Sequence, residues 1–543
     1  MNTATAAEMA RRKREESIAL PESLGELVRE CAALEGERTL AVWFEDDARL
    51  TYRELDRQAD SLADALVRRG VRKGCHVAVM LPNVPAFPVT WVALGRIGAV
   101  MVPVNTAYTS TELGFVLADS DAQFLIIDTA YLPVLETLEA LPPLLAQERV
   151  VVHGASAAGR TDWDTLIAQG KTPFVPPTPV VRTDLLNLQY TSGTTGFPKG
   201  CMLTHDYWVI AAHNAAWHRQ SSKGKFARTL IWAPFFYMDP LWQFLMTLRL
   251  GATAYIARRM SLSLFLQWLR EYRIDYCVFP EPLLKQHPPS PSDADIDLKY
   301  ISIYGWIEAN RQEVQRRFKV VAREGYGMTE IGNATLVPAE AHEQGLLRTC
   351  GLASPFRELS IRNEDGTPTP DGEIGELWVR GRAISWGYYK RAAANAESYR
   401  GEWFRTGDLF RRDAEGYYYI VGRIKEMIKR AGENIAANEV EAVLRSLPDI
   451  EEAAVLAVPD ELRREEVKAY VKLTPGLTPR DITPRTIAEH CAAHLAAFKI
   501  PRYIQYVDDF PRTPSRKIAK KQLLADGVDL LAGCYDRQEN RWR

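Results

Sequence analysis

Apolar runs and amphipathic stretches alternate along the first 300 residues of the chain. Thr51 and Glu54 form the capping-box pattern that starts many helices. Four apolar side chains then recur with a helical period and share one face: Leu55, Ala59, Leu62 and Leu66. Gly70 lies where a helix C-cap is expected, and the strand-like run 76–81 follows it. The pattern therefore predicts a helix followed by a buried strand.

The same alternation continues well beyond this first unit of structure. Residues 85–98 and 261–272 have the pattern of helices. The other strand-like runs are 123–128, 149–153, 185–190, 230–233, 253–256, 275–279, 300–303 and 320–322. Alternating helices and strands are typical of a parallel sheet covered by helices, so we predict an α/β fold.

The pattern changes near residue 420, where a short apolar run leads into a charged segment that contains glycine. A chain of 543 residues is also too long for a single hydrophobic core. We therefore predict an N-terminal tail over residues 1–20, a large domain over 21–424 and a small C-terminal domain over 425–543.

Composition and charge exclude several classes of protein. Apolar residues make up 46% of the chain and charged residues 25%, and the net charge of −2 gives no electrostatic basis for binding nucleic acid or an anionic membrane. No apolar run reaches the roughly 18 residues of a membrane span. Seven scattered cysteines without CxxC spacing indicate reduced thiols. The polar first 16 residues lack the apolar core of a signal peptide, so we expect a frayed helix or disordered tail and a cytoplasmic protein.

The stretch 190–200 combines glycines, hydroxyls and one lysine directly after an apolar run. It reads Tyr190-Thr191-Ser192-Gly193-Thr194-Thr195-Gly196-Phe197-Pro198-Lys199-Gly200. Glycines let several backbone N–H groups point at one spot, hydroxyls add donors, and lysine adds a mobile positive charge. We expect a phosphate-binding loop between a strand and a helix, with an ordinary solvent loop as the alternative. It differs from the P-loop GxxxxGK[ST], because no Ser or Thr follows Lys199.

Two further segments carry groups that nucleotide chemistry needs. Residues 326–330 combine an aromatic ring that can stack on a base, a hydroxyl that can reach a phosphate and a carboxylate that can hold Mg²⁺. Residues 403–408 end in Asp408, which we expect after a tight turn, and a carboxylate can accept from two ribose hydroxyls at once. Taken alone, each segment could equally be a turn with a surface acid.

Together these segments resemble the ANL superfamily of adenylate-forming enzymes, which includes acyl-CoA synthetases, peptide-synthetase adenylation domains and beetle luciferase. The resemblance extends from residue 21 to residue 523 and is greatest to acyl-CoA ligases of the carnitine/crotonobetaine–CoA ligase type. It implies a large N-terminal domain of helix-covered sheets and a small α+β C-terminal domain that rotates about a hinge. It also implies ATP and Mg²⁺ as cofactors and coenzyme A as co-substrate.

The resemblance assigns roles to individual residues. Thr329, Glu330 and Lys517 match catalytic positions, and Glu330 also matches the ligand of Mg²⁺. Asp408 and Arg423 match the contacts to ribose. The full set of implied ATP and AMP contacts is Thr191, Ser192, Gly193, Thr194, Thr195, Gly196, Lys199, Gly305, Tyr326, Gly327, Met328, Thr329, Asp408, Ile420, Arg423 and Lys517.

In the C-terminal part, the resemblance implies that Lys517 swings into the site and that Lys425 is the hinge. Lys517 could instead be an ordinary exposed lysine like its neighbours at 520 and 521, and Arg516 replaces the glycine that usually precedes it. The segment 429–435 resembles the hairpin that lines the pantetheine tunnel in the second half-reaction, with a plain surface hairpin as the alternative. Its implied contacts are Lys429, Gly432 and Glu433.

The sequence departs from the family pattern at the acyl pocket, whose implied residues are Tyr237, Met238, Tyr304, Trp306 and Gly332. Tyr237 stands where the family often has histidine, and Tyr304-Gly305-Trp306 replaces a Gly-Gly-Ala segment. Each aromatic ring covers about 150–250 Å². If the rings of Tyr304 and Trp306 point inward, the pocket is short or planar and suits a small or aromatic acid. The alternative is that both rings turn into the core.

We expect an AMP-forming ligase that activates a small or aromatic carboxylic acid as an acyl-adenylate and transfers the acyl group to coenzyme A. One alternative keeps the adenylation but changes the second step, to nitrite-dependent diazotisation of an aryl amine or to loading of a carrier protein. A nucleotide sensor without turnover is disfavoured by the presence of both Glu330 and Lys517. The expected partners are the acid, ATP and coenzyme A, with no nucleic acid and no membrane span; a homodimer is left open.

Overall fold

A computed structural model describes residues 3–154, 160–191, 198–219, 226–431, 433–513, 517–524 and 529–543. The chain forms two compact units: a first unit of Met1–Leu359 and Val379–Phe404, and a second unit of Ser360–Trp378 and Arg405–Arg543. The predicted α/β class is confirmed. The predicted boundary after residue 424 stays a prediction, since the second unit includes residues on both sides of it.

Helices and strands both occur in each of the two units. In chain order, the α-helices are α1 (Thr3–Glu16), α2 (Leu24–Glu35), α3 (Tyr52–Arg68), α4 (Ala86–Ile97), α5 (Ser110–Asp119), α6 (Leu132–Glu136), α7 (Trp163–Gln169), α8 (His205–His218), α9 (Met238–Arg249), α10 (Leu262–Glu271), α11 (Pro282–Gln286), α12 (Glu308–Phe318), α13 (His342–Leu346), α14 (Ala392–Ser398), α15 (Ala437–Ser446) and α16 (Pro484–His494). The strands are β1 (Thr39–Trp43), β2 (Ala48–Thr51), β3 (His76–Met80), β4 (Val100–Pro103), β5 (Phe124–Asp128), β6 (Val150–His153), β7 (Thr161–Asp162), β8 (Leu185–Thr191), β9 (Lys199–Thr204), β10 (Arg228–Ile231), β11 (Thr253–Ile256), β12 (Tyr276–Val278), β13 (Tyr300–Ile303), β14 (Val321–Met328), β15 (Gly332–Leu336), β16 (Leu352–Ala353), β17 (Glu358–Arg362), β18 (Gly375–Arg380), β19 (Tyr399–Arg400), β20 (Trp403–Arg412), β21 (Tyr418–Arg423), β22 (Met427–Arg430), β23 (Glu433–Ala436), β24 (Ile450–Asp460), β25 (Arg464–Leu473), β26 (Tyr503–Tyr506), β27 (Tyr535–Asp536) and β28 (Arg541–Trp542).

A seven-stranded sheet in the first unit has the order β7-β6-β5-β3-β4-β8-β9. Its strands are parallel except for β9, which is antiparallel to β8. The capping box predicted for α3 is present, because the Thr51 side chain accepts from the Glu54 N–H and the Glu54 side chain accepts from the Thr51 N–H. Helix α4 is buried on every side, which explains why most of its side chains are apolar.

The segment 192–197 connects β8 to β9, so the predicted phosphate loop lies between two antiparallel strands. Our expectation of a loop between a strand and a helix is therefore wrong. The reason is that buried residues Cys201 and Leu203 continue an extended segment that pairs with β8 before helix α8 begins. The described residues on either side of the loop thus belong to two paired strands.

A nine-stranded sheet in the first unit has the order β16-β15-β14-β13-β12-β10-β11-β1-β2. Its six central strands, from β14 to β1, are parallel, and β2, β15 and β16 are antiparallel additions. The carboxyl ends of neighbouring parallel strands meet at one edge of a sheet, which is where ligands bind in open α/β folds. Residues 304–306 follow β13 at this edge, and residues 329–331 follow β14.

The second unit has its own core and sheets. Strand β20 pairs with β21, β22 pairs with β23, and a five-stranded sheet has the order β24-β25-β26-β27-β28. Helices α15 and α16 contribute buried residues to the same core as β24 and β25, including Val440, Ile487, Val455 and Val467. This arrangement agrees with the α+β C-terminal part that the resemblance implied.

The N-terminal segment, expected as a frayed helix or a disordered tail, forms helix α1, so the helical alternative is the one observed. Arg11 donates to the Trp217 carbonyl over 3.0 Å, and its guanidinium lies 4.3 Å from the centroid of the Trp217 ring. The Phe356 N–H donates to Glu16 over 2.8 Å. These contacts attach α1 to the first unit.

The structure also bears on the predictions about cysteines, metal-binding clusters and membrane spans. All seven cysteines are free thiols, and six of them are buried. Within the described ranges, no cluster of three or more His, Cys, Asp or Glu side chains is placed to hold a metal ion. The helices of those same ranges include none with the length and hydropathy of a membrane span.

Candidate active site

The ends of the predicted phosphate loop lie opposite each other on β8 and β9. Thr191 pairs with Lys199 in the strand register, and the Thr191 hydroxyl donates to the Lys199 carbonyl over 3.4 Å. The Lys199 ammonium lies 4.6 Å from the centroid of the Tyr388 ring, which gives it a cation–π contact. The loop residues between these ends lie outside the described ranges: Ser192, Gly193, Thr194, Thr195 and Gly196.

Tyr388 connects the loop to the predicted metal ligand. Its hydroxyl donates to Glu330 Oε1 over 2.6 Å, while its ring carries the Lys199 ammonium. The backbone of Tyr388 forms a bridge with Cys201 on β9, which holds the ring beside the loop. Sequence reasoning missed Tyr388. The tyrosine pair at 388 and 389 was visible, but nothing local indicated that it lay against β9.

The phenol of Tyr388 remains a hydrogen-bond donor in this setting. Burial raises the pKa of Tyr388 well above its ordinary value, and the charge of Glu330 raises it further. The protonated hydroxyl therefore holds one carboxylate oxygen of Glu330 in place. Glu330 is itself buried, and the Ser385 N–H donates to its backbone carbonyl over 2.7 Å.

The strand before Thr329 is longer than the predicted strand-like run 320–322. Strand β14 runs on to Met328, so Tyr326, Gly327 and Met328 are strand residues and the turn begins at Thr329. Glycine is required at 327 by close backbone approach, because a Cβ there would lie 2.5 Å from the Gly332 carbonyl oxygen. The tight hairpin presents Thr329 and Glu330 at its tip.

The predicted acyl-pocket residues Met238 and Gly332 converge on one tyrosine that sequence reasoning missed. The Tyr207 hydroxyl donates to the Thr329 carbonyl over 2.9 Å and lies 3.3 Å from Met238 Sδ. Gly332 has a φ of +64°, and a Cβ there would lie 3.5 Å from the Tyr207 hydroxyl. Tyr237 is the N-cap residue of α9, directly before Met238. Tyr207 therefore joins the start of α9 to the 329–332 turn.

The two aromatic rings that replace the family's small residues differ in position. Trp306 is only 2% exposed and packs in the core, with its ring centroid 6.1 Å from that of Phe279. Tyr304 is 42% exposed. For Trp306 the core alternative is therefore the one observed, whereas Tyr304 does not turn into the core. Gly305 between them has a φ of +72°, and its N–H donates to Glu324 over 2.8 Å.

In the second unit, the predicted ribose contacts lie side by side. Asp408 on β20 is opposite Arg423 on β21, and Arg423 Nε donates to Asp408 Oδ1 over 2.9 Å. Asp408 is buried, and its N–H donates to the Thr406 hydroxyl. Asp408 lies within β20 rather than after a tight turn, and Gly407 takes up the local irregularity with a φ of +71°. Ile420 lies on β21 and is half-buried.

Lys517 and Lys520 differ in their ion pairing. Lys520 is held by two acids, Glu426 at 2.6 Å and Glu441 at 2.7 Å. The Lys517 side chain is exposed, and no ion pair with another described residue holds it. The Lys517 carbonyl accepts from the Thr513 N–H over 2.8 Å. Residues 514–516 between them, with Arg516 among them, lie outside the described ranges.

The segment 429–435, which the resemblance assigned to the second half-reaction, belongs to the β22–β23 hairpin, while its role stays a prediction. Strands β22 and β23 pair with Arg430 opposite Glu433, and Lys429 and Glu433 are exposed. The Arg430 guanidinium donates to the buried Glu466 over 2.7 Å, which ties the hairpin to β25. Gly432 lies outside the described residues. Lys425, the predicted hinge, lies in the 3₁₀ turn Ile424–Glu426 between β21 and β22.

Two protein-family profiles match most of the chain. The profile of the AMP-binding enzyme family matches residues 28–389, and the profile of the AMP-binding enzyme C-terminal domain matches residues 439–517. The crotonobetaine/carnitine–CoA ligase of Escherichia coli O17:K52:H18 is 30% identical over 490 residues, which cover 88% of this chain and 93% of that one.

Solved structures show the same fold. An anthranilate CoA ligase in complex with anthranoyl-AMP matches with a TM-score of 0.83 and 24% identity, over 94% of this chain and 98% of that one. The O-succinylbenzoate CoA synthetase of Bacillus subtilis, in complex with ATP and magnesium, matches with a TM-score of 0.77 and 25% identity, over 92% of this chain and 99% of that one. The chain has the predicted ANL fold, and it belongs to the AMP-binding enzyme family of adenylate-forming ligases.

Proposed function

We propose that this protein is an AMP-forming ligase that activates a carboxylic acid with ATP and transfers the acyl group to coenzyme A. The observation that carries the proposal is the contact series from Lys199 through Tyr388 to Glu330, at the mouth of the 190–200 loop. It sets a cation and a carboxylate at fixed positions beside the segment suited to phosphates. The names of the family relatives, which are CoA ligases and synthetases, support the thiol acceptor.

The first half-reaction joins a carboxylate oxygen of the acid to the α-phosphorus of ATP and breaks the bond to the bridging oxygen, so pyrophosphate leaves. Negative charge gathers on the phosphate oxygens, and fixed cations and donors lower the energy of that transition state. Lys199 supplies positive charge, and the Thr329 hydroxyl supplies a donor. The buried carboxylate of Glu330 fits Mg²⁺, which neutralises phosphate charge when bound.

The second unit contributes the remaining proposed roles. Asp408, held by Arg423, accepts from the ribose hydroxyls, and Arg423 is the second ribose contact. The exposed ammonium of Lys517 bridges the attacking carboxylate and the α-phosphate during adenylation. Lys425 is the hinge, and the exposed hairpin residues Lys429 and Glu433 contact the pantetheine arm in thioester formation.

A pyrophosphate-release screen over small and aromatic carboxylic acids, with and without coenzyme A, tests this proposal. We expect pyrophosphate, AMP and an acyl thioester to accumulate when acid, ATP and coenzyme A are all present. Nitrite with aryl amines forms a separate arm of the screen. AMP formation that needs nitrite and an amine but ignores coenzyme A would replace the proposed second step, and the absence of a thioester with every acid would contradict it.

A further inference from the structure

Arg219 is a buried cation that the proposed chemistry does not use. It directly follows helix α8 and is 1% exposed. Its Nε donates to the Tyr276 hydroxyl over 2.9 Å, Nη2 donates to the Ser302 hydroxyl over 3.0 Å, and Nη1 donates to the Ala215 carbonyl over 3.2 Å. These acceptors are all neutral, so the positive charge of the guanidinium is not balanced by any of them.

Arg219 makes no ion pair with any acid in the described ranges, and the sequence of residues 220–225 after it contains no Asp or Glu. Other buried arginines of the first unit do have acids: Arg96 pairs with Asp60, and Arg317 pairs with Asp293. A buried charge without a counter-charge is costly, because burial removes its hydration.

Two other buried arginines, Arg323 and Arg357, are compensated by backbone carbonyls instead. Each donates to at least three of them. Arg219 donates to one carbonyl, from Ala215. A guanidinium carries two hydrogens on each terminal nitrogen, so one hydrogen on Nη1 and one on Nη2 have no acceptor among the described residues. Two hydrogens on neighbouring nitrogens match the two oxygens of a carboxylate.

The guanidinium lies beside the two elements that carry the predicted acyl pocket. Its carbon lies 4.5 Å from the centroid of the Trp242 ring, and Trp242 is one turn after Met238 on α9. Ser302, its hydroxyl acceptor, lies on β13 two residues before the exposed Tyr304. The nearby acid Asp239 is exposed and accepts from the Trp242 indole over 3.0 Å. Arg219 is thus placed between the start of α9 and the end of β13.

We propose that Arg219 is a specificity-determining residue and that the preferred substrate is an acid with a second carboxylate. One carboxylate of this dicarboxylic acid is activated, and the other binds the guanidinium end-on through Nη1 and Nη2. This inference rests on the proposed function. The fixed positive charge also repels an acid with a quaternary ammonium group. This pocket therefore differs in substrate preference from one that binds a betaine.

The test compares ATP–pyrophosphate exchange for matched pairs of acids, such as succinate and phthalate against their monomethyl esters. We expect the wild-type chain to prefer the diacid by about 10- to 100-fold in kcat/KM, as befits a charge-assisted bidentate contact. Arg219→Gln removes the preference mainly by raising KM for the diacid, and Arg219→Lys restores part of it. Arg317→Gln is the matched control, since it removes a buried arginine that has its own acid and leaves the preference intact.

A thermal-melting measurement keeps the test decisive if Arg219→Gln does not fold. A diacid that binds the folded wild-type chain raises its melting temperature in the absence of ATP, and the monoester at the same concentration does not. Equal exchange and equal melting shifts for diacid and monoester would overturn the inference while leaving the proposed function standing. Failure of exchange with every mono- and dicarboxylic acid would overturn the proposed function itself.

Discussion

The two units of the molecule hold their candidate catalytic groups in different ways. In the first unit, Glu330 is buried and bound by Tyr388, and Lys199 rests on the same ring. In the second unit, Lys517 and Lys429 are exposed. Fixed groups stabilise transition-state charge because they need no reorganisation when the reaction occurs. Exposed groups on a separate unit suit contacts that are made in one step and released in the next.

Not all candidate site residues and lysines of the second unit are exposed, and this sharpens the contrast with the first unit. Asp408 is buried against Arg423, and Lys520 is held by Glu426 and Glu441. Only some lysines of this unit are thus available to a ligand. The structure distinguishes Lys517 from Lys520 by ion pairing, a distinction that residue type and spacing alone do not make.

The largest expected effect is that of Lys517→Ala. We predict a loss of about 10²- to 10³-fold in acid-dependent ATP–pyrophosphate exchange, the range for one lost charge-stabilising group. Folding is unaffected, because Lys517 is exposed. The exposed neighbour Lys521→Ala is the control and keeps near-normal exchange. Near-normal exchange in Lys517→Ala itself would show that this lysine has no part in adenylation.

Lys425→Pro separates the two half-reactions. Proline fixes φ and removes an N–H, so we predict that thioester formation falls by about 100-fold while adenylation survives. Pyrophosphate exchange and thioester formation are measured on the same preparation, with Lys425→Ala as the control that keeps both. Equal loss of both activities in the proline variant argues against a hinge at this position.

Tyr388→Phe tests the fixed groups of the first unit. The variant keeps the ring under Lys199 but removes the hydroxyl that holds Glu330. Residues that orient a metal ligand affect metal affinity by about 10- to 100-fold, so we expect the Mg²⁺ concentration for half-maximal exchange to rise by that factor. Tyr389→Phe is the matched control, because the Tyr389 hydroxyl donates to Asp121 instead. An unchanged Mg²⁺ requirement in Tyr388→Phe contradicts the proposed role of Glu330.

The smallest expected effect concerns stability and pH in the first unit. Burial lowers the pKa of His205 to about 4, and its Nδ1 accepts from the Leu24 N–H. The unfolded chain binds a proton at this histidine near pH 6.5. Stability from the neutral imidazole is therefore complete above pH 6.5 and is lost as the pH falls towards 4.

Between pH 7 and pH 5 we expect His205 to account for a loss of about 2 kcal/mol in the free energy of unfolding. Denaturant titrations of wild type and His205→Asn at both pH values measure the difference, and the exposed His494→Asn serves as the control. If the wild type and His205→Asn lose the same free energy over this interval, the buried imidazole is not neutral for the reason given.

Much of the fold followed from local pattern. The capping box at Thr51 and several strands of both large sheets, namely β3, β5, β6, β8 and β10 to β14, were visible as periodicity and turn chemistry. The hairpin over 429–435 followed from the family resemblance. The proximity of Asp408 and Arg423 followed from the family resemblance, which implied that both contact one ribose. These features depend on neighbours in sequence or on a motif of known geometry, so the sequence alone was sufficient to predict them.

The errors have a common physical origin in contacts between distant segments. Nothing near residues 190–200 indicates that β9 returns along β8, because that pairing depends on buried residues of the whole sheet. The choice between pocket and core for Trp306 was left open for the same reason, because its core position depends on packing against Phe279, 27 residues away. Tyr207 and Tyr388 were missed for the same reason, since their partners lie 122 and 58 residues away.

The shared position of Tyr388 has a consequence for how this site can change. One phenol supports a cation through its face and an anion through its hydroxyl, so the spacing between Lys199 and Glu330 is set by the width of a single ring. A substitution that shifts the ring displaces both charges together. Under the proposed roles, one substitution at Tyr388 therefore alters both the phosphate contact of Lys199 and the metal ligand Glu330.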